Sequence, residues 1–194
     1  MPFSEGHPIQ HQQGKETQII TWLSADKKSM DALEIASSLG LNDWCLAAGF
    51  VRNIVWDKLH GFDVATPLND IDFIYFDLEN VEVESELRYE ERLKSISNLP
   101  WSVKNQARMH VRNDDKPYSS TTDAMSYWVE VETAIGASIS SDGDISLVAP
   151  FGVEALFSNT VTINQKRIKR DAFEQRLCDK KWLEIWPRLK ISSG

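Results

Sequence analysis

The sequence is short of cysteine, of basic charge and of long apolar runs, and each shortage excludes something. Its two cysteines, Cys45 and Cys178, stand far apart. Such a pair makes neither a disulfide framework nor a thiolate zinc site, and it fits reduced thiols in a cytoplasmic protein. No stretch approaches the roughly 18 consecutive apolar residues of a membrane span, so no membrane partner is expected. The glycine-rich phosphate loops of the Walker and dinucleotide-binding types are missing, as is the Gly-x-Ser-x-Gly turn of serine hydrolases. The opening MPFSEGHPIQHQQGKE has no apolar signal core. Polar and broken by Gly and Pro, residues 1–16 read as a flexible N-terminal arm. His7 and His11 stand four apart, but Pro8 between them argues against a helical metal pair.

Basic charge is scarce and uneven. The chain has 21 Lys/Arg against 29 Asp/Glu, a net charge of −8. Residues 166–190 hold nine Lys/Arg and four Asp/Glu, which leaves twelve basic and 25 acidic residues elsewhere. An acidic body repels a polyphosphate backbone and argues against a nucleic-acid partner. The basic segment Lys166–Lys181 could touch RNA, but with no aromatic platform among its charges it reads rather as a solvated helix face partnering the acidic helix 77–97, with Trp182 and Trp186 anchoring it on the core.

What is present suits one folded domain. At 194 residues, the chain can bury a core without metal or disulfide support. We expect the domain over 17–160, and a basic helical extension over 161–194 packed on it. Short helices are predicted at Gln18–Leu23 and Met30–Leu39, the second capped by Ser29 or Asp31. Trp44–Ala48 reads as a buried strand, and Phe50–His60 as a helix closed by Gly61. Residues 70–77 form the clearest strand, followed by an acidic helix to Ser97 and a strand from Trp101 to Val111. A short helix from Thr122 or Asp123 to Trp128, a hairpin around Ser141-Asp142-Gly143, a short helix to Phe157 and a helix over 169–186 complete the chain. Mixed helices and strands give an α+β class with a small mixed sheet flanked by helices.

Within this frame, Asp70 and Asp72 are two apart on a strand, so both carboxylates point to one side of the sheet. Two like charges held so close need a partner, and a divalent cation such as Mg²⁺ takes one or two carboxylates plus phosphate oxygens. A strand mouth with solvated or Arg-paired aspartates is the bland alternative. Ala48-Gly49 ends one strand and opens a helix, where free N–H groups make a phosphate site. Arg52, one turn in, reaches either a phosphate or the aspartate pair.

Ala48-Gly49-Phe50-Val51-Arg52-Asn53, the helix ending His60-Gly61, and Asn69-Asp70-Ile71-Asp72 together resemble the head of the polymerase-β-like nucleotidyltransferase superfamily. The likeness is to the start of tRNA CCA-adding enzymes. Over the whole chain it is to a compact bacterial nucleotidyltransferase-like family, carried also by Val103–His110, Pro117-Tyr118, Asp123-Ala124-Met125 and Ala149–Gly152. The resemblance implies a nucleoside triphosphate bound by Ala48, Gly49, Arg52, Asn69 and Arg108. It implies Mg²⁺ or Mn²⁺ on Asp70 and Asp72, which would be the catalytic pair. The chain departs from the pattern in having Ala48 for a first glycine and Asn53 for an aspartate. A third metal ligand is expected on strand 101–111, where Asn105 is best placed, and Glu130 is the substitute favoured over Glu132. The expected activity is transfer of a nucleoside monophosphate to an unidentified small-molecule or protein acceptor. The alternatives are a non-catalytic nucleotide-binding module and a structural protein with a degenerate site.

Overall fold

A computed structural model of the chain describes residues 8–193, with side chains from residue 14 onward. In chain order the helices are α1 Pro8–Ala25, α2 Lys27–Ser37, α3 Gly49–His60, α4 Val83–Ile96, α5 Gln106–Asn113, α6 Thr121–Met125, α7 Glu154–Phe157, α8 Arg170–Lys180 and α9 Trp182–Ile185. The strands are β1 Trp44–Ala47, β2 Ile71–Tyr75, β3 Trp101–Asn105, β4 Gly136–Ile139, β5 Ile145–Val148, β6 Thr160–Thr162 and β7 Lys190–Ser192.

Five strands form one mixed sheet in the order β3-β2-β1-β4-β5. β2 and β3 are parallel, joined by α4 as a crossover, and the other pairings are antiparallel. Period-two alternation divides the sheet into two faces. Leu46, Phe73, Tyr75 and Val103 pack under α1–α4, with Leu23, Leu33, Val51, Val55 and Leu93. The opposite face presents Cys45, Ala47 and Ile74 to Met125 and Ala134, and it also carries Asp72. A second cluster joins Trp56 of α3 to Phe173, Trp182 and Trp186, which seats the C-terminal segment against the domain. Trp186 donates its indole N–H to Asp57 at 2.7 Å. The small parallel pair β6-β7 continues that segment.

Several elements depart from the sequence reading, each for a visible reason. The first helix starts at Pro8, a favoured first helical position, so residues 8–16 are helical rather than a loose arm. Residues 1–7, and the side chains of His7 and His11, lie outside what is described. The cap of α2 is Asp26, which accepts from the Ser29 amide at 2.9 Å, rather than Ser29 or Asp31. Ser120, whose hydroxyl accepts from the Asp123 amide, caps α6, which starts at Thr121, one residue before the earlier of the two predicted starts. The C-terminal helix breaks at Lys181, in the left-handed region at φ 51°.

The largest departure is at Asn105, where the predicted strand 101–111 turns into helix α5. The Asn105 carboxamide accepts from the Ala107 amide at 3.0 Å and caps the new helix. It also accepts from the Asp77 amide at 3.1 Å and donates to the carbonyls of Asp77 and Asn80 at 2.7 and 3.0 Å. Asn105→Ala should cost roughly 2–3 kcal/mol of unfolding free energy in urea, because it removes a buried carboxamide that serves two carbonyls and two amides. A cost below half a kcal/mol would remove this structural role.

The acidic helix is not the partner of the basic segment. Glu86 of α4 binds Arg108 and lies 3.6 Å from Lys104. The basic residues Lys166, Arg167, Lys169 and Arg176 instead pair with Asp123, Asp115 and Glu130.

Candidate active site

On the Asp72 face of the sheet lies a cleft of about 450 Å³. Its lining includes Ala48, Gly49, Arg52, Asn69, Asp70, Asp72 and Glu130, so the structure gathers seven of the residues singled out above around one space. β-Sheet register explains the meeting of the first six. Ala47 at the end of β1 pairs with Asp72 on β2, so the start of α3 stands beside the carboxylates.

The turn into α3 is tight. Ala48 has φ 56° and ψ −119°, a conformation that favours glycine and costs an alanine about 1–3 kcal/mol. A first glycine would relieve that strain. Gly49 has ordinary helical space: an added Cβ would meet the Arg52 guanidinium at 3.4 Å. No side chain caps α3; the Val51 and Arg52 amides turn back to the Ala48 carbonyl, and those of Gly49 and Phe50 are open to a ligand.

Arg52 is buried in the corner of two near-perpendicular indole rings, its guanidinium 5.0 Å from the Trp56 ring and 4.8 Å from that of Trp182. It donates to Thr133 Oγ1 at 3.2 Å and to Asn53 Oδ1 at 2.9 Å, while its Nε finds no acceptor. Burial pushes the group down to about 10, with Glu130 pulling the other way. It therefore stays cationic at neutral pH. Among the described residues Arg52 makes no ion pair with Asp70 or Asp72, so the bland reading of Arg-paired aspartates does not hold.

Asp70 is exposed and Asp72 half-buried, and neither carboxylate takes a hydrogen bond within the described chain. Burial first, and then the Asp70 charge, push the Asp72 carboxyl up to about 6, against the pull of Lys180, Arg52 and Arg176. A pair that raises its own pKa in this way is short of positive charge. Two carboxylates with open lone pairs suit a hard cation that completes its shell from water and phosphate oxygens. No group of three or more His, Cys, Asp or Glu gathers among the described residues.

Two predicted residues are not brought to the cleft. Asp72 stands opposite Ser102 in the parallel register, and Asn105, three residues on, points to the other face of the sheet. Its carboxamide is fully used there, as described above. Arg108, placed on a strand by the sequence reading, lies instead on α5. It grips Glu86 through Nε at 2.7 Å and Nη2 at 2.5 Å. Glu130 lines the cleft but accepts from Arg176 Nε at 2.6 Å, so its charge is already offset.

Sequence reasoning missed the contribution of the C-terminal segment. Lys169, Arg176, Lys180 and Trp182 all line the cleft, as do Lys104 and Arg112. The net-acidic chain thus turns six cations and three carboxylates toward this one space.

A family model described as nucleotidyltransferase matches residues 34–191. An NMR structure described as revealing a CCA-adding enzyme head domain is 30% identical, with a TM-score of 0.81 over 92% of this chain and 96% of that one. A tRNA-processing enzyme complex is 16% identical, with a TM-score of 0.54 over 84% of this chain and 43% of that one. A CCA-adding enzyme in complex with CTP is 12% identical, with a TM-score of 0.51 over 90% and 49%. The last two likenesses concern the fold alone, and the chain spans less than half their length. No curated protein matches the chain.

Proposed function

From the premise that the chain belongs to the nucleotidyltransferase family, we propose that it moves a nucleoside monophosphate from a nucleoside triphosphate to a small-molecule or protein acceptor in the cytoplasm. The observation that carries this reading is charge separation inside the cleft. An aspartate pair and a buried guanidinium, unpaired with each other, face the same space. Their charges complement a cation-bound triphosphate, which presents both signs.

The residues divide the work. The open amides of α3 and the Arg52 guanidinium take phosphate oxygens. Lys180 adds a cation on the same side. Asp70 and Asp72 would hold Mg²⁺ or Mn²⁺, which when bound neutralises developing charge in an in-line displacement at phosphorus. Arg176 holds Glu130 in place, and Trp56 and Trp182 hold Arg52. No helix among the described residues is long and apolar enough to cross a membrane.

The second reading, a nucleotide-binding module without turnover, draws on β3: its residue beside Asp72 is Ser102, so that strand supplies no third carboxylate. One experiment separates the readings. Thermal melts with ATP, GTP, CTP and UTP, with and without Mg²⁺, should show a metal-dependent rise for at least one nucleotide. At a hundredfold excess over Kd the stabilisation is about 2.7 kcal/mol. Incorporation of α-labelled nucleotide into an acceptor pool then marks the enzyme, and a rise without incorporation marks the module. No rise with any nucleotide at millimolar concentration overturns both.

A further inference from the structure

The cleft has a second flank that the nucleotide reading leaves unused. Across the strands the order is Ala47, Asp72, Ser102, so the α3 start lies on one side of the aspartates and β3 on the other. α5 follows β3 directly. Together with Lys169 they bring Ser102, Lys104, Met109 and Arg112 into the lining.

No carboxylate lines the cleft on this flank; its three acids are Asp70 and Asp72 at the centre, and Glu130, tied to Arg176. The nearby acids behind the lining are oversubscribed. Glu86 serves Arg108 at 2.5 Å as well as Lys104 at 3.6 Å. Asp115 serves Arg167 at 2.8 Å as well as Lys169 at 3.5 Å. Arg112 is exposed and has no ion pair among the described residues. Three cations therefore face the cleft with less than their share of compensating charge.

In an in-line displacement the attacking and leaving oxygens lie on opposite sides of phosphorus. With the triphosphate on the α3 flank, the acceptor enters over β3 and α5. We propose that this flank is the acceptor subsite, and that the acceptor is a small hydroxyl compound bearing a phosphate group. This rests on the nucleotidyl-transfer reading of the same cleft. Two ammonium groups and a guanidinium suit a phosphate monoester, which carries about −1.5 to −2, better than a singly charged carboxylate. A net charge of −8 over the whole chain works against a polyanion as acceptor. In the reaction, the acceptor hydroxyl oxygen bonds to the α-phosphorus and the α–β bridging bond breaks. Pyrophosphate leaves and the hydroxyl proton goes to solvent.

The test uses inorganic phosphate as the probe. The full chain, labelled with ¹⁵N, is saturated with a non-hydrolysable ATP analogue and Mg²⁺ and then titrated with phosphate, with acetate in parallel. Phosphate should shift the amides of α5, and Arg112→Ala should weaken its binding at least tenfold. Lys58→Ala, an equal charge loss outside the cleft, should leave it unchanged. Phosphate that does not bind, or binds Arg112→Ala equally well, overturns the subsite; acetate binding as tightly overturns the phosphate class. If the analogue itself fails to bind, the nucleotide reading falls. The same titration of the free protein, read at α5, then still decides whether the anion site exists. In a second arm, label transfer from α-labelled ATP is run on cell extract pretreated with phosphatase or ribonuclease. Loss after phosphatase alone supports the proposal, and loss after ribonuclease makes the acceptor an RNA and overturns it.

Discussion

Asp72→Asn should lower nucleotide transfer about a thousandfold and, at pH 7.5, raise the melting temperature of the nucleotide-free protein. The first effect follows from removing a charge that a cation-bound transition state needs. Such stabilisation is worth several kcal/mol, and about 4 kcal/mol is a factor of a thousand in rate. The second effect has the opposite sign because the carboxylate is costly when empty-handed. Burial and Asp70 push Asp72 from an ordinary 3.8 up to about 6 in the folded chain. The native state then binds the proton more tightly than the unfolded state does. Stability is highest below the unfolded value, falls as pH rises through the folded one, and stays low above it. Taken at face value the gap is about 3 kcal/mol, and solvent at the half-open site reduces it to about 1–2 kcal/mol. For a domain of this size that is roughly 3–6 °C in melting temperature. Asparagine carries no charge at any pH, so the variant's advantage should appear at pH 7.5 and vanish at pH 4. Melts at both pH values, beside a label-transfer assay, read the two effects. A variant that transfers normally, or that melts lower than wild type at pH 7.5, contradicts the assignment.

Much of this site was legible because its chemistry is local in sequence. Asp72 lies on a strand whose alternation is plain, and Asp70 stands two residues earlier, just ahead of that strand. Gly49 and Arg52 sit within one turn of a helix start, and Gly61 ends that helix in the left-handed region at φ 71°. What was not legible depends on contacts across the chain. Val103, Asn105, Ala107 and Met109 alternate as a strand would. The turn into α5 is made by the Asn105 side chain bonding to a loop about 25 residues earlier. That one change moves Arg108 from the cleft to Glu86. The basic segment could be read by composition as a solvated face, but composition does not reveal that Asp115, Asp123 and Glu130 await it. Nor does it reveal that Arg52 and Trp182, 130 positions apart, stack on each other.

That stacking gives the largest expected effect on stability. Trp182 is almost fully buried beside Trp56, and its ring also lies 5.6 Å from the Arg176 guanidinium. Trp182→Ala should cost about 3–5 kcal/mol, the usual range for emptying a buried aromatic site, measured by denaturant unfolding. The ring also governs the cleft. A buried guanidinium paired to a carboxylate would have its charge cancelled before a phosphate arrived. Two indole faces stabilise Arg52 without cancelling it, with each desolvated contact worth up to about 2 kcal/mol. Trp182→Leu keeps an apolar filling but loses the ring face, and it should weaken binding of the ATP analogue with Mg²⁺ about tenfold, or about 1.4 kcal/mol. Trp182→Phe, which restores a ring face, should recover most of that affinity. Lost packing alone predicts otherwise, because binding to whatever fraction remains folded would then be the same for Leu and Phe. Equal affinity in the two variants would confine Trp182 to the core, and Arg52 would owe its position to Thr133, Asn53 and Trp56.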